Sequence, residues 1–62
     1  MNQYDCVKLK TNRFKNEGLS EGDIGYIIEV YSDGNMEVEF SNPLTGETIA
    51  MVVAQPSELE PA

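Results

Sequence analysis

Glu29, Glu37 and Glu39, with Tyr31 and Asp33 between them, are the side chains of this chain best placed by type and spacing to do chemistry. Neighbouring carboxylates can trade protons, share a hard cation, or pair with lysine and arginine of a partner. Proton transfer needs a cleft in which one carboxyl is desolvated, as in glycoside hydrolases. The residues around these glutamates alternate apolar and polar, which sets the carboxylates on an outer face. No catalytic residue is therefore assigned, and the chain is read as a non-enzyme. A dedicated calcium loop spaces Asp and Asn at short fixed intervals, and no segment has that spacing. Neither metal nor cofactor is expected. Pairing with a cationic partner remains, with Glu29, Tyr31, Asp33, Glu37 and Glu39 as the partner-binding residues. Tyr31 shares the outer parity with Glu29 and offers a large contact area at low entropic cost.

Two other groups carry reactive or recognition chemistry. Cys6 is the single cysteine, and a thiol becomes a nucleophile only when a neighbour holds it as thiolate. With no histidine in the chain the usual base is missing, so Cys6 is read as a small buried hydrophobe. The same composition excludes an intramolecular disulfide and a Cys/His zinc site. Lys8, Lys10, Arg13 and Lys15 are all four basic residues of the chain, gathered within eight positions. They can reach nucleic acid, with Phe14 stacking on a base between them. The preferred reading is that they snorkel over the fold and balance its acidic side.

A hairpin must position the glutamates. Ile28 and Val30, then Met36, Val38 and Phe40, keep one parity, and Glu29, Glu37 and Glu39 the other. A two-residue turn at Asp33-Gly34 would set Val30 against Glu37 and mix carboxylates into the core. A three-residue loop of Ser32, Asp33 and Gly34, with Gly34 at positive φ as a G1 bulge, removes that conflict. Val30 then faces Met36, Ile28 faces Val38 and Tyr26 faces Phe40, while Glu29 faces Glu37 and Ile27 faces Glu39. Tyr26 is thereby expected in the core or at its rim.

Around the hairpin, residues 4–10 alternate as an opening strand, with Val7 and Leu9 on one side and Cys6, Lys8 and Lys10 on the other. Residues 11–21 form a polar excursion whose Phe14 and Leu19 are pinned onto the fold. Gly22-Asp23-Ile24-Gly25 leads tightly into the hairpin, since two nearby glycines permit angles and close approaches that side chains forbid. Ser41-Asn42-Pro43-Leu44-Thr45-Gly46 supplies a second turn. Thr48–Ala54 is apolar on both parities and is expected to be covered on both faces or paired centrally. Pro56-Ser57-Glu58-Leu59 reads as one helical turn that returns Leu59 to the core. Four or five short strands with almost no helix make an all-β fold, a small SH3-like barrel filling residues 1–62 as one domain.

The 62 residues carry a net charge of −7, and from Glu17 onward there are ten acidic residues and no basic one. Such a field repels phosphate and speeds encounter with a cationic partner, although solubility alone also accounts for it. A chain this short buries only about 60% of its unfolded surface and has no room for a deep catalytic cavity. With no charged leader and no apolar run near the ~20 residues of a membrane span, a soluble cytoplasmic protein is expected.

Tyr4-Asp5 with Val7 and Leu9, Gly18-Leu19, Gly22-Asp23-Ile24-Gly25, Ile28-Glu29-Val30-Tyr31 with Asp33-Gly34, Glu37-Val38-Glu39-Phe40, Gly46 and Pro56-Ser57-Glu58-Leu59 together resemble a bacterial family of short domains of unknown function, known only by number. The resemblance spans nearly the whole chain and implies a single SH3-like barrel. It also implies that such small proteins accompany toxins as immunity proteins or antitoxins. The chain is similar, more weakly, to KOW-type barrels of ribosomal and transcription proteins, but lacks the basic barrel residues an RNA contact needs. The function expected is a protein-binding module that neutralises a basic toxin, such as a nuclease, by occluding its active site with an acidic face. The alternative is a KOW-like accessory barrel that binds RNA or the ribosome and transcription machinery.

Overall fold

The alternation in residues 4–10 and the hairpin pattern both become strands in the computed structural model, which describes all 62 residues. The strands are β1 (Cys6–Leu9), β2 (Ile24–Val30), β3 (Met36–Ser41), β4 (Thr48–Ala54) and β5 (Leu59–Pro61). They form one antiparallel sheet in the order β4-β3-β2-β1-β5, the strand order of an SH3-like barrel. Helical structure is confined to two 3-10 turns, Lys15–Glu17 and Pro56–Glu58. No helix is long and apolar enough to cross a membrane.

Eleven side chains close the core: Val7, Leu9, Phe14, Leu19, Ile27, Met36, Val38, Phe40, Val52, Ala54 and Leu59. Val7 and Leu9 point inward from β1 while Lys8 and Lys10 stay exposed, as their parity requires. Phe14 and Leu19 reach the core from the excursion, and Leu59 follows the 3-10 turn into it.

The loop of the hairpin is the three-residue one. The Gly34 N–H donates to the Tyr31 carbonyl at 3.0 Å, the Tyr31 N–H donates to the Asn35 carbonyl at 2.8 Å, and Gly34 has φ of 91°. Val30 faces Met36 and Glu29 faces Glu37, as the sequence predicts. Beyond that point the register departs from expectation. A bulge between Ile27 and Glu29 sets Ile27, not Ile28, opposite Val38; Tyr26 lies opposite Glu39, and Gly25 opposite Phe40. Ile27 is consequently in the core, Ile28 is half-buried, and Tyr26 leaves its expected core position for the outer face.

The physical cause is the N-terminal arm. The Tyr4 N–H donates to the Ile27 carbonyl at 2.6 Å, the Ile27 N–H to the Asp5 carbonyl at 3.0 Å, and Gln3 Nε2 to the Ile28 carbonyl at 2.9 Å. These bonds occupy the backbone groups around the bulge. Gly25 is required where it stands. A Cβ there would lie 2.7 Å from the Glu39 carbonyl oxygen and 2.8 Å from the Phe40 ring.

Strand β4 also corrects an expectation, because it pairs only with β3 and lies at the edge of the sheet. Val52 and Ala54 point inward and Ala50 packs beside them, whereas Ile49, Met51 and Val53 are exposed. The run does alternate, but both alternating sets are apolar, so burial on one face leaves hydrophobic side chains on the other. Arg13 guards one end of the open edge, donating from Nη2 to the Val53 carbonyl at 3.3 Å. Gly18 lies beside Ile49 toward the other end, where an added Cβ would stand 3.6 Å from Ile49 Cγ2.

Candidate functional site: an acidic outer sheet face

Because side chains on a strand alternate, Glu37 and Glu39 leave β3 on the side opposite Met36, Val38 and Phe40. Cross-strand pairing adds Glu29 and Val53 on either side of Glu37, and Tyr26 and Met51 on either side of Glu39. The predicted carboxylates thus share one outer face: Glu29 is exposed, while Glu37 and Glu39 are half-buried. Glu39 accepts a hydrogen bond from Thr48 Oγ1 at 3.2 Å.

Tyr31 closes over this face from the end of the hairpin and donates its hydroxyl proton to Glu37. That bond holds the phenol in its protonated form and pushes its pKa up to about 12. Partial desolvation and the charges of Glu37 and Glu29 act in the same direction. Asp33 does different work. Its Oδ1 accepts from the Asn35 N–H at 2.9 Å and its Oδ2 from Asn35 Nδ2 at 3.3 Å, so this carboxylate shapes the turn at the tip.

No cation of the chain neutralises the face. The single ion pair of the molecule is elsewhere, where Arg13 Nε meets Glu58 Oε2 at 2.6 Å and Nη2 donates to Oε1 at 2.9 Å. That fork lowers the Glu58 pKa from its ordinary value. The same guanidinium lies 4.2 Å from the centroid of the Phe14 ring. Phe14 is itself a core residue, as the excursion pattern leads one to expect, so its ring is not free to stack on a base between the lysines. Lys8 pairs across the sheet with Ile24 on one side and Glu60 on the other.

A shallow groove of about 250 Å³ lies away from the glutamates, lined by Gly22, Asp23, Ile24, Phe40, Ser41 and Pro43. Its one titratable side chain, Asp23, accepts the Ser20 N–H at 2.8 Å. No three acidic or cysteine side chains converge as a metal cluster would. The arrangement is therefore chemically simple: negative charge held on a pleated surface between exposed apolar side chains.

Tyr26, Met51 and Val53 belong to that surface although sequence reasoning did not place them there. For Met51 and Val53 the signal was present, since an apolar run on both parities means either double burial or an exposed apolar face. For Tyr26 it was absent, because nothing in Ile27-Ile28 marks a bulge.

A family described as "Domain of unknown function (DUF4926)" has a model that matches residues 3–61. No curated protein and no solved structure matches the chain.

Proposed function

The chain belongs to the DUF4926 family of unknown function, and we propose that it is a protein-binding module that neutralises a basic toxin, acting as an immunity protein or antitoxin in the cytoplasm. The observation that supports this reading is the outer face on which Glu29, Glu37 and Glu39 stand together with no internal counterion. Like charges directly across a sheet cost stability, and a cationic partner turns that cost into attraction. The mechanism is occlusion. The carboxylates take the place of substrate phosphates, pair with active-site lysine or arginine of the toxin, and keep the true substrate out.

Tyr31 contributes by fixing Glu37, so that less side-chain freedom is lost when the partner binds. The experiment is co-expression with the product of the reading frame neighbouring this chain's gene, taken as the candidate toxin, scored by cell survival and by binding of the purified pair. The charge-reversed pair Glu37→Lys and Glu39→Lys should abolish protection and weaken binding at least a hundredfold. Unchanged binding of the reversed variant would remove the electrostatic mechanism.

A further inference from the structure

Beside the acidic row on β3 runs an apolar row on β4 that the proposed charge pairing leaves unused. Met51 and Val53 are 48% and 47% exposed, and Tyr26, across Glu39 on the other side, is 51% exposed. Neighbouring exposed apolar side chains bordered by charge are the composition of a docking surface. Resting on the acidic-face reading above, we propose that this surface binds a basic amphipathic helix of the partner, its apolar row on Met51 and Val53 and its arginine or lysine row on Glu37 and Glu39.

Two geometric arguments select a helix. Residues two apart on a strand are about 6.6–6.8 Å apart, and adjacent strands are about 4.8 Å apart. A helix repeats a row every four residues, about 6 Å along its axis, and sets a second row beside the first. It can therefore lie along the strands and answer both rows at once. An extended segment presents a single line of side chains to the sheet and can match one row only. Strand addition at the β4 edge is also opposed at one end by Arg13, whose Nη2 occupies the Val53 carbonyl.

Charge decides against other occupants. A second copy seated face to face would bring Glu29, Glu37 and Glu39 against the same three residues, in chains of net charge −7. An anionic membrane surface is repelled for the same reason. A cationic helix gains from both rows.

The test uses the full chain, isotope-labelled on its amides and methyl groups, titrated at physiological salt with three synthetic 18-residue helical peptides. One carries a leucine row beside an arginine row; the second replaces leucine by glutamine; the third replaces arginine by glutamate. The leucine–arginine peptide should bind at least tenfold more tightly than either control and shift the Met51 and Val53 methyls with the Glu37 and Glu39 amides. Joint replacement Met51→Thr and Val53→Thr, which keeps strand propensity, should reduce its affinity to that of the glutamine peptide. The variant's own amide spectrum reports that the fold is intact. Equal binding of the leucine and glutamine peptides would overturn this inference and leave the acidic-face reading standing. Absence of binding by both arginine peptides would overturn the two together. Sedimentation showing dimers that the double replacement dissolves would assign the face to a second copy instead.

Discussion

At the scale of single residues, Tyr31 and Glu37 offer the most direct test of the acidic face. The phenol donates to the carboxylate and has its pKa raised to about 12 from an ordinary 10.0, so the folded protein holds this proton where the unfolded chain releases it. The resulting stability is complete below pH 10 and is lost as pH rises through the window from about 10 to about 12. Glu37→Gln should move the Tyr31 pKa down toward 10, followed by the ring Cζ shift, and flatten the alkaline fall in stability; an unmoved pKa would mean that the bond does not persist in solution. Glu58 has the opposite sign. Arg13 holds its pKa below the ordinary 4.5, so the contribution is present above that value and fades as pH falls. Arg13→Met should lower the thermal midpoint at neutral pH, and the gap from the parent protein should close on acidification below about 4.5. A gap constant with pH would assign the effect to packing on Phe14 rather than to the fork.

At the scale of elements, two glycines set the hairpin by different means. Gly34 needs positive φ, and an L residue there costs about 1–2 kcal/mol. Gly25 has ordinary φ but no room, since an added Cβ meets the Glu39 carbonyl and the Phe40 ring. Gly25→Ala should therefore destabilise by about 1–3 kcal/mol through overpacking, and Gly34→Asn by less than Gly34→Ala, because asparagine tolerates the left-handed region. Urea unfolding of the three variants checks the ordering; a neutral Gly25→Ala would mean that β2 and β3 pack more loosely at Phe40 than their register implies. These elements also mark how far the sequence could be read. The loop at Gly34 was legible because a shorter turn would have put Glu37 against Val30. The bulge at Ile28 was not, since Ile27 and Ile28 are equally apolar and either can face the core. What decides between them is the arm at residues 3–5, whose bonds to β2 are tertiary and leave no periodic trace. The acidic face survived this error because Glu29 and Glu37 lie on the loop side of the bulge, and Glu37 and Glu39 share a strand. Strand β4 misled for a related reason: Thr48–Ala54 has no polar parity to announce that one face is open.

At the scale of the whole molecule, the charge distribution sets stability against association. Ten of the eleven acidic residues follow position 16, all four basic ones precede it, and the outer sheet face lacks a cation at its centre. In a fold this small, whose net stability is a narrow difference between large terms, that repulsion is a measurable fraction of the whole. Salt screens it over a Debye length of about 10 Å at 0.1 M, so raising sodium chloride from low concentration should raise the thermal midpoint. Glu29 is the residue on which both properties can be separated from core packing, because it is exposed and faces Glu37 across the sheet. Glu29→Gln should stabilise the free protein by a few tenths of a kcal/mol, roughly the worth of relieving one cross-strand like-charge pair. The same change should slow association with a cationic partner several-fold while altering dissociation less, because a charge at the rim acts mainly on encounter. Thermal melts at low and moderate salt measure the first effect, and stopped-flow binding of the leucine–arginine peptide measures the second. A variant more stable yet equally fast in association would mean that the face repels itself without serving a partner.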